Sequence, residues 1–179
     1  MRRRVVSIVL AVLGLPATAS GFSDPALFAE ASSTGGGGGR FFTGSPADGH
    51  ACGVCHLGGI APELSISGLP DVFERRGRYE VTIQWTEPEV SHALQLELLA
   101  PDGTHPSIEL PDPATLPAAA RCDGLAGGVP AIYAVDAGAR RIVGVEDCGA
   151  SAITFSFVAP DAATMTVSVG AVRTDSSGT

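Results

Sequence analysis

Strict alternation of apolar and polar residues is the feature of this sequence that most constrains its fold. Between Tyr79 and Trp85 every second residue is apolar and the residues between them are polar. The same period of two recurs at Leu64 to Ile66, Leu94 to Leu98, Ile153 to Phe157 and Met165 to Val169. Because successive side chains of a strand point to opposite faces of a sheet, these segments are predicted to be half-buried β-strands.

Turn-forming residues separate the alternating segments, as in Ala100-Pro101-Asp102-Gly103. Two further apolar runs, 132–135 and 142–145, flank Asp136-Ala137-Gly138 and predict a hairpin. Helical periodicity is nearly absent, with one short turn expected within residues 114–121. Roughly seven short strands with turns between them predict an all-β chain folded as an antiparallel β-sandwich over residues 63–175.

The first residues have the pattern of a secretory signal peptide. Arg2, Arg3 and Arg4 precede an apolar run to Leu15, and the small residues Ala17-Thr18-Ala19 follow. The apolar run is shorter than the roughly 20 residues that a spanning helix needs. We therefore expect cleavage after Ala19 and export to the periplasm, the outer surface or the medium, with no membrane span in the mature chain.

Two segments precede the predicted sandwich. Residues 20–39 end in five consecutive glycines and predict a flexible tether, whereas residues 40–62 form a loop-rich motif.

The mature chain is strongly acidic. All 11 basic residues are arginines, and three of them lie in the predicted signal peptide. The remaining eight arginines and the 19 acidic residues give the mature chain a net charge of −11. This charge disfavours nucleic-acid binding, and envelope or surface proteins are the expected class of partner.

The motif Cys52-Gly53-Val54-Cys55-His56 has the form C-x-x-C-H, the pattern of c-type haem attachment. In such a site Cys52 and Cys55 hold the macrocycle through thioethers, and His56 is an axial ligand of the iron. A Cys52–Cys55 disulfide is the main alternative. A zinc site or a catalytic dithiol is less favoured, because no second C-x-x-C and no βαβ pattern accompany the motif.

A second axial ligand is not evident from the sequence. The candidates are His50, His92, His105 and Met165. Met165 shares the apolar phase of its predicted strand and is expected in the core. A five-coordinate iron, a bound water or a ligand from a partner therefore remains open.

The other two cysteines, Cys122 and Cys148, flank the predicted hairpin. In an exported protein they are expected to form a structural disulfide, which closes a loop of about 25 residues and stabilises the fold by about 3 kcal/mol.

Signals of enzymatic activity are weak, since no serine has a nucleophile-elbow context, no carboxylate pair is seen to converge and no phosphate-binding loop is present.

The stretch GGGGGRFFTGSPADGHACGVCHLGG resembles the N-terminal module of myxobacterial-type secreted surface proteins of the reelin-domain-like, choice-of-anchor group. That group shows the signature T-G-x-P-x-D-G-x-x-C-x-x-C-H, which is matched here by Thr43, Gly44, Pro46, Asp48, Gly49, Cys52, Cys55 and His56. The stretch ITFSFVAPDAATMTVSVGAV resembles its closing strands. The resemblance implies an immunoglobulin-like (reelin-like) sandwich displayed at the cell surface. Members commonly end in a sorting tail of small, then apolar, then basic residues, and because this sequence ends at Thr179 without one, we expect either that it is part of a longer protein or that the protein is released unanchored.

Two functional hypotheses follow. In the first, the chain is an envelope protein with one covalent haem c, used for electron transfer or redox sensing. In the second, it is a non-enzymatic surface or adhesion module in which a Cys52–Cys55 disulfide fastens the N-terminal loop to the sandwich.

Overall fold

The computed structural model describes residues 26–34, 36–54, 62–86, 91–116, 132–137, 140–146 and 150–174. The predicted signal peptide lies outside these ranges. Cys55, His56, Cys122 and Cys148 also lie outside these ranges. The predicted haem attachment at Cys55, the predicted axial ligand His56 and the predicted Cys122–Cys148 disulfide therefore concern residues that the structure does not describe.

The described chain contains eight β-strands and little helix. The strands are β1 Leu64–Ser67, β2 Arg78–Trp85, β3 Ser91–Leu99, β4 Ser107–Glu109, β5 Ile132–Ala137, β6 Arg140–Glu146, β7 Ala152–Val158 and β8 Thr166–Thr174. The helical pieces are α1 Ala26–Ala29 and the 3₁₀ turns Ser32–Thr34, Cys52–Val54 and Pro113–Thr115. Within the described ranges, no helix is long and apolar enough to cross a membrane.

The strands form two four-stranded sheets, in the orders β1-β2-β7-β4 and β5-β6-β3-β8. All pairings between the named strands are antiparallel. The prediction of an all-β antiparallel sandwich is therefore confirmed. Strand β4, three residues long, is the element that the alternation pattern did not indicate.

The main core lies between the two sheets and consists of the apolar residues of each alternating segment. It is built around Trp85, Leu94, Leu96, Phe155 and Phe157, which are almost fully buried. Met165, which lies just before β8, packs against this cluster, as its apolar phase predicted. Burial of such side chains contributes about 1.5–3 kcal/mol each, which explains why the period of two determines the fold.

The second sheet, β5-β6-β3-β8, is covered on both faces. Leu94 and Leu96 of β3 point into the main core, so Gln95 and Glu97 must point to the outer face. Yet Gln95 and Glu97 are 6% and 2% exposed, respectively. A polar residue at an outward position is normally solvated, and the burial of these two shows that another part of the chain covers the outer face.

That covering is the docked segment, the name used here for residues 26–34 and 36–54. Phe28 of α1 stacks on Phe41 with ring centroids 5.4 Å apart, and both rings pack with Ile142 of β6 in a second, smaller core. The glycine run, whose composition predicts a flexible tether, makes backbone hydrogen bonds back to α1, from Gly37 N to Leu27 O and from Gly39 N to Phe28 O. In the structure Gly36 to Gly39 form a tight turn against α1.

Candidate functional site

Asp48 organises the loop that precedes the cysteine motif. Its Oδ1 accepts a hydrogen bond from Phe41 N at 2.9 Å, and its Oδ2 accepts from Thr43 N at 2.8 Å and from Thr43 Oγ1 at 2.7 Å. Gly44 and Gly49 have φ of 78° and 66°, a left-handed backbone that favours glycine. These residues of the sequence signature are therefore loop formers, and the loop ends in a β-bridge between Thr43 and Ala51.

Arg140, the first residue of β6, joins this loop to the sheet. Its Nη1 donates to Asp48 Oδ1 at 2.6 Å and its Nη2 donates to Ser45 Oγ at 3.1 Å. On the sheet, Nε and Nη2 donate to the two carboxylate oxygens of Glu97 at 2.9 and 2.7 Å. The guanidinium also lies over the Phe41 ring, 5.3 Å from its centroid. This planar, five-donor group thus satisfies two carboxylates at once, a geometry that lysine cannot reproduce.

The electrostatics of this cluster depend on burial. The side chains of Asp48 and Glu97 are 0% and 2% exposed, and that of Arg140 is 16% exposed. Burial alone would raise the pKa of Asp48. The hydrogen bonds from Arg140, Phe41 N and Thr43 outweigh it and lower the pKa from 3.8 to about 2. The hydrogen bond with Glu97, opposed by burial and aided by Asp48, raises the pKa of Arg140 above its ordinary value.

Cys52 begins the 3₁₀ turn Cys52–Val54 directly after this loop. Its thiol is half-buried and lies 3.6 Å from the carbonyl oxygen of Phe42. Beneath it is Gly170 of β8, where a Cβ would collide with Phe42 O and would lie 2.9 Å from the Cys52 sulfur. The absence of a side chain at Gly170 is therefore what allows the cysteine motif to approach the sheet.

Gly170 belongs to a transverse row on the outer face of the second sheet. The strand register aligns Tyr133, Gly144, Gln95 and Gly170 across the four strands. The Tyr133 ring lies over Gly144, where any Cβ would collide with it, and its hydroxyl accepts a hydrogen bond from Gln95 Nε2 at 2.7 Å. The space above Gly144 is thus filled by Tyr133, and the space above Gly170 is filled by the Phe42 carbonyl and the Cys52 sulfur.

One described feature of the motif is compatible with a thioether-linked haem. Cys52 is held on the outer face of the sheet, where the Phe42 carbonyl and the Cys52 sulfur fill the space above Gly170, and not in the interior of the sandwich. The donor set, two cysteines followed by a histidine, has the chemistry that attachment requires. Within the described ranges, which do not include Cys55 and His56, no group of three or more His, Cys, Asp or Glu side chains is arranged to hold a metal ion.

The other residues considered as axial ligands are dispersed by the fold. His92 is 2% exposed and stacks on Trp85 inside the sandwich, with ring centroids 5.8 Å apart. The side chain of His105 is held by its Nδ1, 3.1 Å from Leu98 O, and Met165 packs against the main core. His50 is exposed in the loop before Cys52. Of these four residues, His50 alone lies beside the motif.

Sequence reasoning missed Arg140, Glu97 and Gly170, the residues that position the motif. Glu97 occupies an ordinary polar position of an alternating strand, and Arg140 looks like a solvated charge in a hairpin. A usable signal existed for Gly170, because a glycine inside a valine-rich strand often marks the close approach of another backbone.

Comparisons with known proteins give a likeness in structure only. No family model matches the chain, and no curated protein matches it significantly. Two crystal structures of the human F-spondin reeler domain are similar over 63% of this chain. The first has 18% identity, a TM-score of 0.35 and 74% coverage of its own chain. The second has 16% identity, a TM-score of 0.36 and 77% coverage. The assignment of the fold rests on the two sheets described above.

Proposed function

We propose that this chain is an exported β-sandwich protein that carries one covalently attached haem c and serves in electron transfer or redox sensing. Cys52 and Cys55 would form the thioethers and His56 would be an axial ligand of the iron. When bound, the haem supplies a one-electron redox centre. The described residues hold Cys52 and the loop that precedes it on the outer face of the second sheet.

The observation that carries this proposal is that, among the described residues, the contacts that fasten the loop before the motif to the second sheet involve no cysteine. Asp48, Ser45 and Glu97 all bind Arg140, and Phe28 and Phe41 pack on Ile142. A disulfide is therefore not needed to hold the docked segment on the sheet. This favours a chemical role for Cys52 and Cys55 over the role of a structural fastener.

The surroundings of Cys52 support the same conclusion. On one side of Gly170 the outward positions of β8 and β3 are Val172 and Ala93, which pair with each other and are half-buried, whereas on the other side they are Ser168 and Glu97. Small and apolar residues beside an attachment cysteine suit a macrocycle whose edge and faces are apolar.

The competing proposal is a surface or adhesion module in which Cys52 and Cys55 form a disulfide. The positions of His92 and Met165, which point into the sandwich, favour this alternative because neither can complete the coordination of a haem at Cys52. The two proposals exclude each other in one molecule, since a thioether sulfur cannot also be part of a disulfide.

Expression of the full chain in a host that matures c-type cytochromes distinguishes the two proposals. We expect a pyridine haemochrome, colour that survives acid–acetone extraction, and an intact mass of the chain from Ser20 plus one haem. The double variant Cys52→Ala/Cys55→Ala should lose the colour, whereas the matched double variant Cys122→Ala/Cys148→Ala should keep it. A colourless protein that is two hydrogens lighter at Cys52 and Cys55 would establish the disulfide instead.

A further inference from the structure

The contacts that hold the docked segment on the second sheet differ in kind from those that hold the sandwich together. We infer that the docked segment is a detachable strap, which leaves the sheet as one unit while the sandwich stays folded, and which thereby opens access to the sulfur of Cys52. This opening involves described residues alone, and we expect it with or without a haem on the motif, so it goes beyond the proposed function.

The docked segment and the sandwich have separate apolar cores. Among the described residues, the main core is formed within positions 64–171. The docked segment contributes instead to the second, smaller core, in which Phe28 and Phe41 pack with Ile142 of β6. Detachment therefore exposes these three side chains and leaves the main core intact. Parts of a protein with few buried apolar contacts open at a lower free energy than the rest.

The hydrogen bonds described for the loop of the docked segment are largely internal to it. Gly44 N donates to His50 O, and the Asp48 carboxylate accepts from Phe41 N and Thr43 N. The second sheet is built differently, since β3 and β8 are joined by nine consecutive residue pairs. Separation of the loop from the sheet therefore breaks side-chain contacts, whereas the strand pairing and the internal order of the loop can both persist.

Arg140 remains paired when the docked segment leaves. Its Nε and Nη2 bind the two carboxylate oxygens of Glu97, which lies on the neighbouring strand β3. Asp48 is a third charge, which the docked segment adds at 2.6 Å from Nη1. Breaking a buried ion pair is costly mainly because one charge is left buried without its partner. Here Glu97 and Arg140 keep each other, and the Asp48 carboxylate passes into water.

The sulfur of Cys52 faces the sheet in the docked state. A Cβ built on Gly170 of β8 would lie 2.9 Å from this sulfur, and the cysteine is half-buried. When the docked segment leaves the sheet, the side of the sulfur that faces β8 becomes open to solvent. The docked segment therefore controls access to the first cysteine of the motif, whichever bond that cysteine forms.

Trypsin reports the opening in the mature full chain. Arg40 is the only arginine between positions 26 and 54, the chain has no lysine, and the residue after the cleavage site, Phe41, is fully buried. Cleavage at Arg40 thus requires the docked segment to leave the sheet, whereas cleavage at Arg141, within β6, requires the sheet to unfold. We expect the initial rate at Arg40 to be faster and to depend weakly on urea, and the rate at Arg141 to rise steeply with urea.

Two variants separate this opening from global unfolding. Ile153→Val weakens the main core from the first sheet, so it should accelerate cleavage at Arg141 and leave the rate at Arg40 unchanged. Phe28→Ala removes a ring that holds the docked segment, so it should accelerate cleavage at Arg40 by about tenfold or more. Equal acceleration at both sites by Ile153→Val would overturn the inference, because the segment would then leave only when the whole chain unfolds. An Arg40 rate that Phe28→Ala does not change would also overturn it.

A chain whose only thiol is Cys52 tests access to the sulfur. On the background Cys55→Ala/Cys122→Ala/Cys148→Ala, Phe28→Ala should accelerate alkylation of Cys52 by iodoacetamide, and by the same factor as cleavage at Arg40. Val72→Ala, at a position that is 66% exposed, is the control and should change neither rate. Different factors for alkylation and cleavage would show that Arg40 and Cys52 do not detach as one unit, and this result would overturn the inference.

Discussion

Arg140 is the side chain on which the docked segment most directly depends, because it neutralises both Asp48 and Glu97. Replacing it by glutamine leaves two buried carboxylates without their cation. Loss of one partner from a buried pair costs about 3–5 kcal/mol. We therefore expect Arg140→Gln to lower the free energy of unfolding by about that amount, or to release the docked segment, as measured by denaturant titration and limited proteolysis between residues 26 and 54.

The neighbouring Arg141 provides the matched control for that variant. It occupies the next position of β6, and its Nε lies 3.6 Å from Asp136 in an ion pair whose side chains are 36% and 73% exposed. Exposed pairs contribute about 0–1 kcal/mol. Equal losses of stability in Arg141→Gln and Arg140→Gln would show that the buried cluster has no special role.

The lowered pKa of Asp48 predicts a specific dependence of stability on pH. A carboxyl group whose pKa is about 2 in the folded state and 3.8 when unfolded stabilises the fold above pH 4. That contribution, about 2 kcal/mol, disappears as the pH falls from 4 to 2. The difference in unfolding free energy between the parent chain and Asp48→Asn should therefore shrink over this range. A constant Asp48→Asn difference over this range would contradict the assignment.

The contact between β8 and the 3₁₀ turn Cys52–Val54 depends on the missing side chain at Gly170. In Gly170→Ala the new Cβ meets the Phe42 carbonyl and the Cys52 sulfur, so the turn must move away from the sheet. Overpacking of this kind costs about 1–3 kcal/mol. We expect a lower unfolding free energy and a faster reaction of Cys52 with a thiol reagent in the haem-free protein.

Gly53→Ala is the control for this variant, because it alters the same turn at a position with nothing within 4 Å. Its stability should lie within about 0.5 kcal/mol of the parent. If Gly170→Ala behaved like Gly53→Ala, the close approach of Cys52 to β8 would not be a feature of the protein in solution.

The strands were predictable from the sequence, whereas the docked segment was not. Tyr79 to Trp85 and Ile153 to Phe157 alternate, and that period alone determines which side chains are buried. The docked segment has no such period. It is held by specific contacts such as that between Asp48 and Arg140, which lie 92 residues apart in the sequence. Pairings at that separation depend on the register of the strands, and local composition does not reveal them. Gly36 to Gly39 illustrate the difference, because their composition does not reveal the hydrogen bonds that they make to α1.

The described part of the cysteine motif lies apart from the main core. That core lies between the sheets, whereas Cys52 lies outside it, on the far face of the second sheet. The two predicted cysteine pairs divide in the same way, with Cys52 and Cys55 in the motif and Cys122 and Cys148 around the β5–β6 hairpin. Loss of one pair should therefore leave the properties of the other unchanged.

This separation is testable in the exported chain. We expect non-reducing peptide mapping to link Cys122 to Cys148 and to find no link from either to Cys52 or Cys55. Cys122→Ala/Cys148→Ala should lower the free energy of unfolding by about 3 kcal/mol, because the loop they close is released in the unfolded chain. Cys52→Ala/Cys55→Ala should leave the β-sheet circular dichroism unchanged and reduce stability by less, since the docked segment keeps Arg140 and its aromatic contacts. A crossed link such as Cys52–Cys122 would refute the division, because disulfide geometry would then require the hairpin end to lie within about 7 Å of the motif.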